Sequence, residues 1–437
     1  MSVLATIRQL RRSRVPGQVV VQLTDRCNAR CPQCGMRVTN PFARTTLATA
    51  EVRRIIDRAA SLGVAAISFT GGEPFMEMDR LVELIKYAGK AGIPYIRTGT
   101  NGFAFRGRTP DERRRRITEL AQRLANTPLR NFWISVDSAV PGVHESMRGL
   151  GGVVEGIRDA IPVFHEHGIY PAANLGINRN LNGPATRNLN PEDYPDRASY
   201  LSAFREAFDT GFRRFYAHVL DMGFTTVNAC YPMSVAPQEG DLEAVYSATS
   251  EDRVVRFDRD EKAVLFETMR EVIPAYRPNL RVFTPLCSLL ALSRHYRGEA
   301  GLSYPCRGGV DFLFVEARAG KAFPCGYRGH DDFGRCSELA ELPAGPAECR
   351  DCDWECFRDP SELAGPLIDL LRRPWALARR FWRDREFART WFEDLLYYRS
   401  CGWFHGRRPP ALHRLQRHAV AAPGPAPAEP ARLPVRG

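Results

Sequence analysis

The chain has 437 residues, 44% of them hydrophobic, and a formal net charge of +11. That length predicts two or three domains with sizeable cores, and no apolar run approaches the ~18 residues that would span a membrane. Met1 to Arg14 is basic but lacks the long apolar core and small-residue cleavage site of a secretion signal, so the twelve cysteines are expected to serve metal or redox chemistry in the cytoplasm, not disulfides.

In chain order, residues 1–17 read as a short basic amphipathic helix with Val3, Leu4, Ile7 and Leu10 on one side. Short apolar runs then alternate with helical patterns. Strands are expected at 19–23, 65–70, 95–98, 132–136, 171–177 and 214–219, with helices near 49–61, 77–91, 111–125, 152–167 and 197–210. Such alternation predicts an α/β fold with a parallel sheet and outer helices, whose ligands bind at the C-terminal strand ends. The pattern alone also fits a flat doubly wound sheet. Residues 178–196, rich in Asn, Pro and Gly, read as a long loop over those ends and a candidate substrate lid. A second aperiodic connection covers 221–257, followed by helices at 259–272 and 286–297 around a short strand at 280–283. Leu363 to Phe404 reads as a docked amphipathic helix pair, and 407–437, rich in Pro, Ala and Arg, as a disordered tail.

The motifs fall at the strand ends. Cys27, Cys31 and Cys34 stand as CxxxCxxC directly after the first strand. Three thiolates on one loop suit three irons of a cubane cluster and leave the fourth iron open for chemistry. Structural zinc usually takes four ligands, and this loop offers three with no nearby His. After the second strand stands Thr70-Gly71-Gly72-Glu73-Pro74, with glycines that allow close backbone approach and a carboxylate suited to an ammonium. After the third comes Thr100-Asn101-Gly102, and after the fourth Ser135-Val136-Asp137-Ser138, then His144 and Arg148-Gly149. Asp137 or Ser138 as a helix cap, and Arg148 as a surface ion pair, are the bland alternatives.

From 303 the composition shifts. A hairpin carries Cys306 and Cys325 at its ends with Gly320 in the turn, and Cys349, Cys352 and Cys356 return as CxxCxxxC. Such an arrangement closes a four-thiolate site, either a zinc ribbon or an iron–sulfur cluster.

These motifs together resemble the radical S-adenosylmethionine (SAM) superfamily over about residues 18–357. The resemblance implies a partial (β/α)6 barrel over 18–222, with a connection and last core helices at 223–302. A SPASM/twitch-like auxiliary-cluster domain follows at 303–357, and the C-terminal helices at 358–406 lie beyond the resemblance. It implies a [4Fe–4S] cluster on Cys27, Cys31 and Cys34, with SAM chelating the open iron. Gly71, Gly72, Glu73 and Pro74 would bind the SAM amino group, and Ser135 and Asp137 would point toward SAM. Asn174, with Asn178, is expected at the ribose or adenine. Gln33 stands where relatives often carry an aromatic residue. One auxiliary [4Fe–4S] cluster is expected on Cys306, Cys325, Cys349 and Cys352, because one cysteine of the full SPASM pattern is absent. Cys336, Cys356 and Cys401 are spares that would replace a ligand or support a second cluster. Cys230 reads as a buried hydrophobe or a radical relay.

The implied activity is reductive cleavage of SAM to methionine and a 5′-deoxyadenosyl radical, which abstracts hydrogen from a substrate. A reduced flavodoxin- or ferredoxin-type donor supplies the electron. The preferred substrate is a ribosomally made peptide or protein, although no separate leader-binding domain is evident. A small-molecule cofactor precursor is the alternative. A non-catalytic electron carrier needs neither an open iron nor GGEP. A zinc-bearing nucleic-acid module needs basic and aromatic residues near the cysteines, where Asp351, Asp353 and Glu355 stand instead, so no nucleic acid is expected.

Overall fold

The structure is a computed structural model and describes residues 7, 9–232, 244–245, 252–343 and 345–419. The first residues of the N-terminal helix, most of the second long connection and the tail beyond 419 lie outside the described residues.

The fold is α/β, built on one open sheet ordered β7-β6-β5-β4-β3-β2-β1-β8-β9. Its strands are β1 (Gly17–Thr24), β2 (Val64–Gly71), β3 (Tyr95–Thr100), β4 (Leu129–Ser135), β5 (Ala172–Gly176), β6 (Thr226–Cys230), β7 (Arg281–Val282), β8 (Phe312–Val315) and β9 (Ala322–Phe323). All neighbours pair in parallel except β8 with β9. The first six strands follow chain order, the arrangement of a partial barrel that does not close. Every residue of β1 is buried, as expected for a central parallel strand covered on both faces.

The crossover helices are α1 (Thr49–Ser61), α2 (Met78–Lys90), α3 (Pro110–Ala125), α4 (Pro141–Arg148), α5 (Val153–Glu166) and α6 (Arg197–Asp221). They are followed by α7 (Arg259–Val272) and α8 (Leu286–Arg297). Capping residues set several starts. Thr109 accepts the Glu112 N–H, and Asp258 with Glu261 forms a reciprocal capping box.

One expected strand is absent. Residues 214–219 lie inside α6, and the sixth strand is β6, further along the chain. The β-favouring Phe215-Tyr216 and Val219 misled the strand reading. Yet Tyr200, Phe204, Phe208, Phe212, Phe215, Tyr216 and Val219 are all buried at helical spacing, so one amphipathic stripe runs through the whole helix. In the segment 178–196, Asn178 to Asn182 are buried, a short helix, Pro184–Arg187, follows, and residues 187–196 run largely at the surface.

The cysteine-rich segment joins the sheet directly through β8, which pairs with β1 on the side away from β2. Beyond it run α9 (Glu355–Arg372), α10 (Pro374–Arg383) and α11 (Arg385–Ser400). Buried Asp394 on α11 pairs with Arg277 and accepts the Cys287 N–H at 2.8 Å, which docks the extension on the barrel helices. Residues 408–419, expected to be disordered, include a short helix, Leu412–Leu415, with Leu415 fully buried.

Candidate active site

The loop leaving β1 is shaped by backbone hydrogen bonds around one arginine. Arg44 donates from Nη1 to Asp25 O and Met36 O, both 2.7 Å, and from Nη2 to Arg37 O at 2.8 Å and Asn40 O at 2.9 Å. It gathers the ends of the cysteine loop, a role that nothing in the spacing announced. Cys27, Cys31 and Cys34 all line one large pocket. Burial pushes the Cys31 thiol up to about 11 and the Cys34 thiol up to about 12, while Arg148 opposes both shifts. Buried thiols of this kind are protonated until a metal displaces the proton.

The GGEP turn lies against this loop. Gly72 N–H donates to Thr24 O at 2.7 Å and Glu73 N–H to Arg26 O at 2.9 Å. A side chain on Gly72 would meet Arg26 O at 1.9 Å, so glycine is required for the two segments to touch. Glu73 is buried and accepts from Phe75 N–H at 3.0 Å, Thr100 Oγ1 at 2.8 Å and Asn101 N–H at 2.7 Å. Burial nonetheless outweighs these donors and raises its carboxyl to about 7.

Asp137 ties three strand ends together. Its carboxylate accepts from Arg148, from Gln33 Nε2 at 2.7 Å and from Gly176 N–H at 3.1 Å, while its own N–H donates to His144 Nδ1 at 3.1 Å. Arg148 is therefore a buried partner of Asp137 and not a surface ion pair. Gln33, at the unusual position in the motif, anchors the cysteine loop to this hub. His144 is pushed down to about 3 by burial and Arg148, so it accepts as a neutral imidazole. Ser135, Asp137 and Asn174 line the pocket with Gly71, Gly72, Glu73 and Pro74. Asn178 holds the turn instead, donating to Asp137 O at 2.9 Å and Gly176 O at 2.7 Å.

The same pocket is also lined by Arg97, Asn228, Cys230, Trp354, Glu355 and Cys356, which the sequence marked as spares or not at all. Cys356 Sγ donates to Glu355 Oε1 at 3.3 Å, and the same carboxylate lies beside the Cys230 thiol, which accepts from Asn174 Nδ2 at 3.3 Å. Burial raises all three of these acids. Cys356 thus faces the main pocket. Cys336 is buried beside Glu51 and Arg58 of α1, and Cys401 is buried beside Tyr397.

A second cavity is lined by Cys306, Cys325, Cys349 and Cys352 with Arg328, Trp354 and Phe357. Cys306 N–H donates to Cys349 O at 2.8 Å, joining the hairpin to the returning segment. The main pocket has a cavity volume of about 270 Å³, against about 10 Å³ here. Among the described residues no three His, Cys, Asp or Glu side chains close around a single metal-ion position.

The family model for the Radical SAM superfamily matches residues 21–182, the span that carries the cysteine loop, GGEP and the Asp137 hub. The chain carries a radical SAM domain. This radical SAM chain is similar to the AdoMet-dependent heme synthase of Methanosarcina barkeri, 24% identical over 361 residues, covering 81% of this chain and 88% of that protein. It is similar to the PqqA peptide cyclase of Bradyrhizobium diazoefficiens, 35% identical over 79 residues, 18% of this chain and 20% of that protein. Among solved structures it resembles SuiB of Streptococcus suis bound to S-adenosylmethionine, with a TM-score of 0.46 and 16% identity over 71% of this chain and 60% of that one.

Radical SAM enzymes use SAM and a [4Fe–4S] cluster, and the donor set here suits both. Three soft sulfurs face a pocket whose wall is a side-chain-free Gly71–Gly72 edge. A buried carboxyl and the Arg148 guanidinium stand beside them. No helix among the described residues is long and apolar enough to cross a membrane.

Proposed function

We propose that Cys27, Cys31 and Cys34 hold the [4Fe–4S] cluster and that Gly71, Gly72, Glu73, Pro74, Ser135, Asp137 and Asn174 bind SAM. Together these cofactors supply a radical that removes hydrogen from a substrate. The chain's own part is positional. Glu73 takes the ligand ammonium, the Asp137 hub fixes the cysteine loop, and the buried walls exclude water. The observation that carries the reading is that the three thiols and GGEP line one pocket together with Arg97, Cys230, Glu355 and Cys356. The substrate belongs beside this second group, where Arg97 is suited to a carboxylate.

Two substrate classes remain in contention, and the small-molecule cofactor precursor is the better supported. The heme synthase likeness covers 81% of the chain, whereas the peptide cyclase likeness covers 18%. A ribosomally made peptide or protein is the second reading, supported by the peptide cyclase likeness. An auxiliary [4Fe–4S] cluster on Cys306, Cys325, Cys349 and Cys352 would accept or deliver an electron beside the substrate. The four thiols line one cavity, and four soft sulfurs suit an iron–sulfur cluster.

Iron analysis tests the assignment. The anaerobically reconstituted protein is expected to bind about eight irons, and a Cys27→Ala/Cys31→Ala/Cys34→Ala variant about four, with no SAM cleavage by dithionite. Normal SAM cleavage in that variant would refute the site. Zinc without iron would refute the auxiliary cluster, and about eight remaining irons would refute the count.

A further inference from the structure

Large apolar side chains are exposed almost entirely in one region. Leu370, Leu371, Trp375, Trp382, Phe392, Leu396, Trp403 and Leu412 all fall in the C-terminal extension, against Val38 and Met76 elsewhere among the described residues. Trp375 is 85% and Trp382 69% exposed, so both project from a ridge instead of lining a groove. On α10, Trp375, Arg379, Trp382 and Arg383 recur at helical spacing on one face. The opposite face packs inward through buried Leu377 and through Phe381 against Trp391. Phe381 also meets the Phe392 ring at 5.8 Å and so packs α10 against α11, on which Phe392 and Leu396 are exposed. Inward-facing Trp391 donates its indole N–H to Leu363 O at 3.0 Å and belongs to the core, which marks the outer tryptophans as surplus to packing. Arg380 and Arg389 pair with Asp369 and Glu393, but Arg379, Arg383 and Arg385 have no ion pair among the described residues.

We propose that this face of α10 and α11 docks the enzyme on an anionic lipid surface. Charge complementarity selects that occupant. Unpaired guanidiniums interleaved with tryptophans match acidic headgroups above an acyl boundary, where indole rings partition. A second copy of the chain would bring Arg379 and Arg383 against themselves in a two-fold contact. Residues 420–437 are no better match, because they carry Arg432 and Arg436 against the single acid Glu429.

Vesicle sedimentation of the full-length protein tests this. The protein is expected to pellet with phosphatidylcholine vesicles containing about 30% phosphatidylglycerol and not with phosphatidylcholine alone, and to be released by about 0.5 M salt. Trp375→Ser/Trp382→Ser should lower the bound fraction about tenfold with an unchanged melting curve, since both side chains are exposed. Arg379→Glu/Arg383→Glu should do the same. Arg114→Glu/Arg115→Glu, an equal charge change on exposed α3, should bind normally. Three outcomes overturn the proposal: failure to bind the anionic vesicles; self-association that the tryptophan variant abolishes, which assigns the face to a second copy; and capture by polyglutamate without vesicle binding, which assigns it to an acidic protein.

Discussion

Glu73 shows how one buried side chain makes a ligand site sensitive to pH. Three donors hold its carboxylate, yet burial raises it to about 7 from the ordinary 4.5. An incoming ammonium favours the ionised form, so binding below about pH 7 must first release a proton. The affinity for S-adenosylhomocysteine, which keeps the amino and carboxylate groups of SAM, is expected to fall as pH drops below about 7, by up to about tenfold per unit. Glu73→Gln should flatten that dependence and cost about 1.5–3 kcal/mol at neutral pH. Titration calorimetry across the range checks it, and a flat wild-type profile removes Glu73 from the ammonium site. Stability of the ligand-free protein runs the other way. A raised carboxyl stabilises fully below its unfolded value and loses that contribution as pH rises through about 7, so Glu73→Gln should gain melting temperature relative to wild type between about pH 5 and pH 8. At this scale the residues with fixed spacing were legible in the sequence: the two cysteine sets and GGEP. Arg44, Arg97 and Glu355 were not, because an arginine that collects carbonyls, or an acid beside a distant thiol, leaves no local pattern.

Among the elements, the strand ends carry the coupling. Asp137 at the end of β4 joins the cysteine loop through Gln33, α4 through Arg148 and β5 through Gly176. Asp137→Ala would leave Arg148 buried without its partner, and breaking such a pair typically costs 3–5 kcal/mol, so the variant is expected to unfold at markedly lower urea. Asp137→Asn keeps an acceptor for Gly176 and should fall between. If Asp137→Ala unfolds with the wild type, the hub is not structural. Element reading succeeded where period and punctuation agreed: α1, α7 and α8 match their expected bounds. It failed at 214–219 because β-favouring residues are compatible with a helix once each third or fourth one is buried, and burial is a tertiary fact. The pairing of β8 with β1 was equally hidden, since four apolar residues name no partner strand.

Over the whole molecule the two cavities are separated by a few residues of one segment. Cys349 and Cys352 line the smaller one, Glu355 and Cys356 line the main pocket, and Trp354 lines both. Trp354 is buried and packs against Phe314 of β8, Tyr327 and Phe357, with ring centroids 6.0, 5.8 and 4.7 Å away. It is the wall between the pockets, held from the sheet side and the helix side together. Removing it should not remove a ligand for iron, so Trp354→Ala is expected to keep about eight irons after reconstitution. What it removes is the barrier between the solvent-connected pocket and the proposed auxiliary cluster. Exposure of a cluster to solvent raises its susceptibility to oxygen, so on admission of air about half of the cluster absorbance should bleach faster than in wild type, while the other half keeps the wild-type rate. Cys356→Ala is the matched control, because that thiol faces the main pocket and its loss leaves the wall standing. Uniform bleaching at the wild-type rate in Trp354→Ala would mean that the two cavities are insulated by something other than this indole. Loss of iron in Cys356→Ala would move Cys356 from the spares into the ligand set.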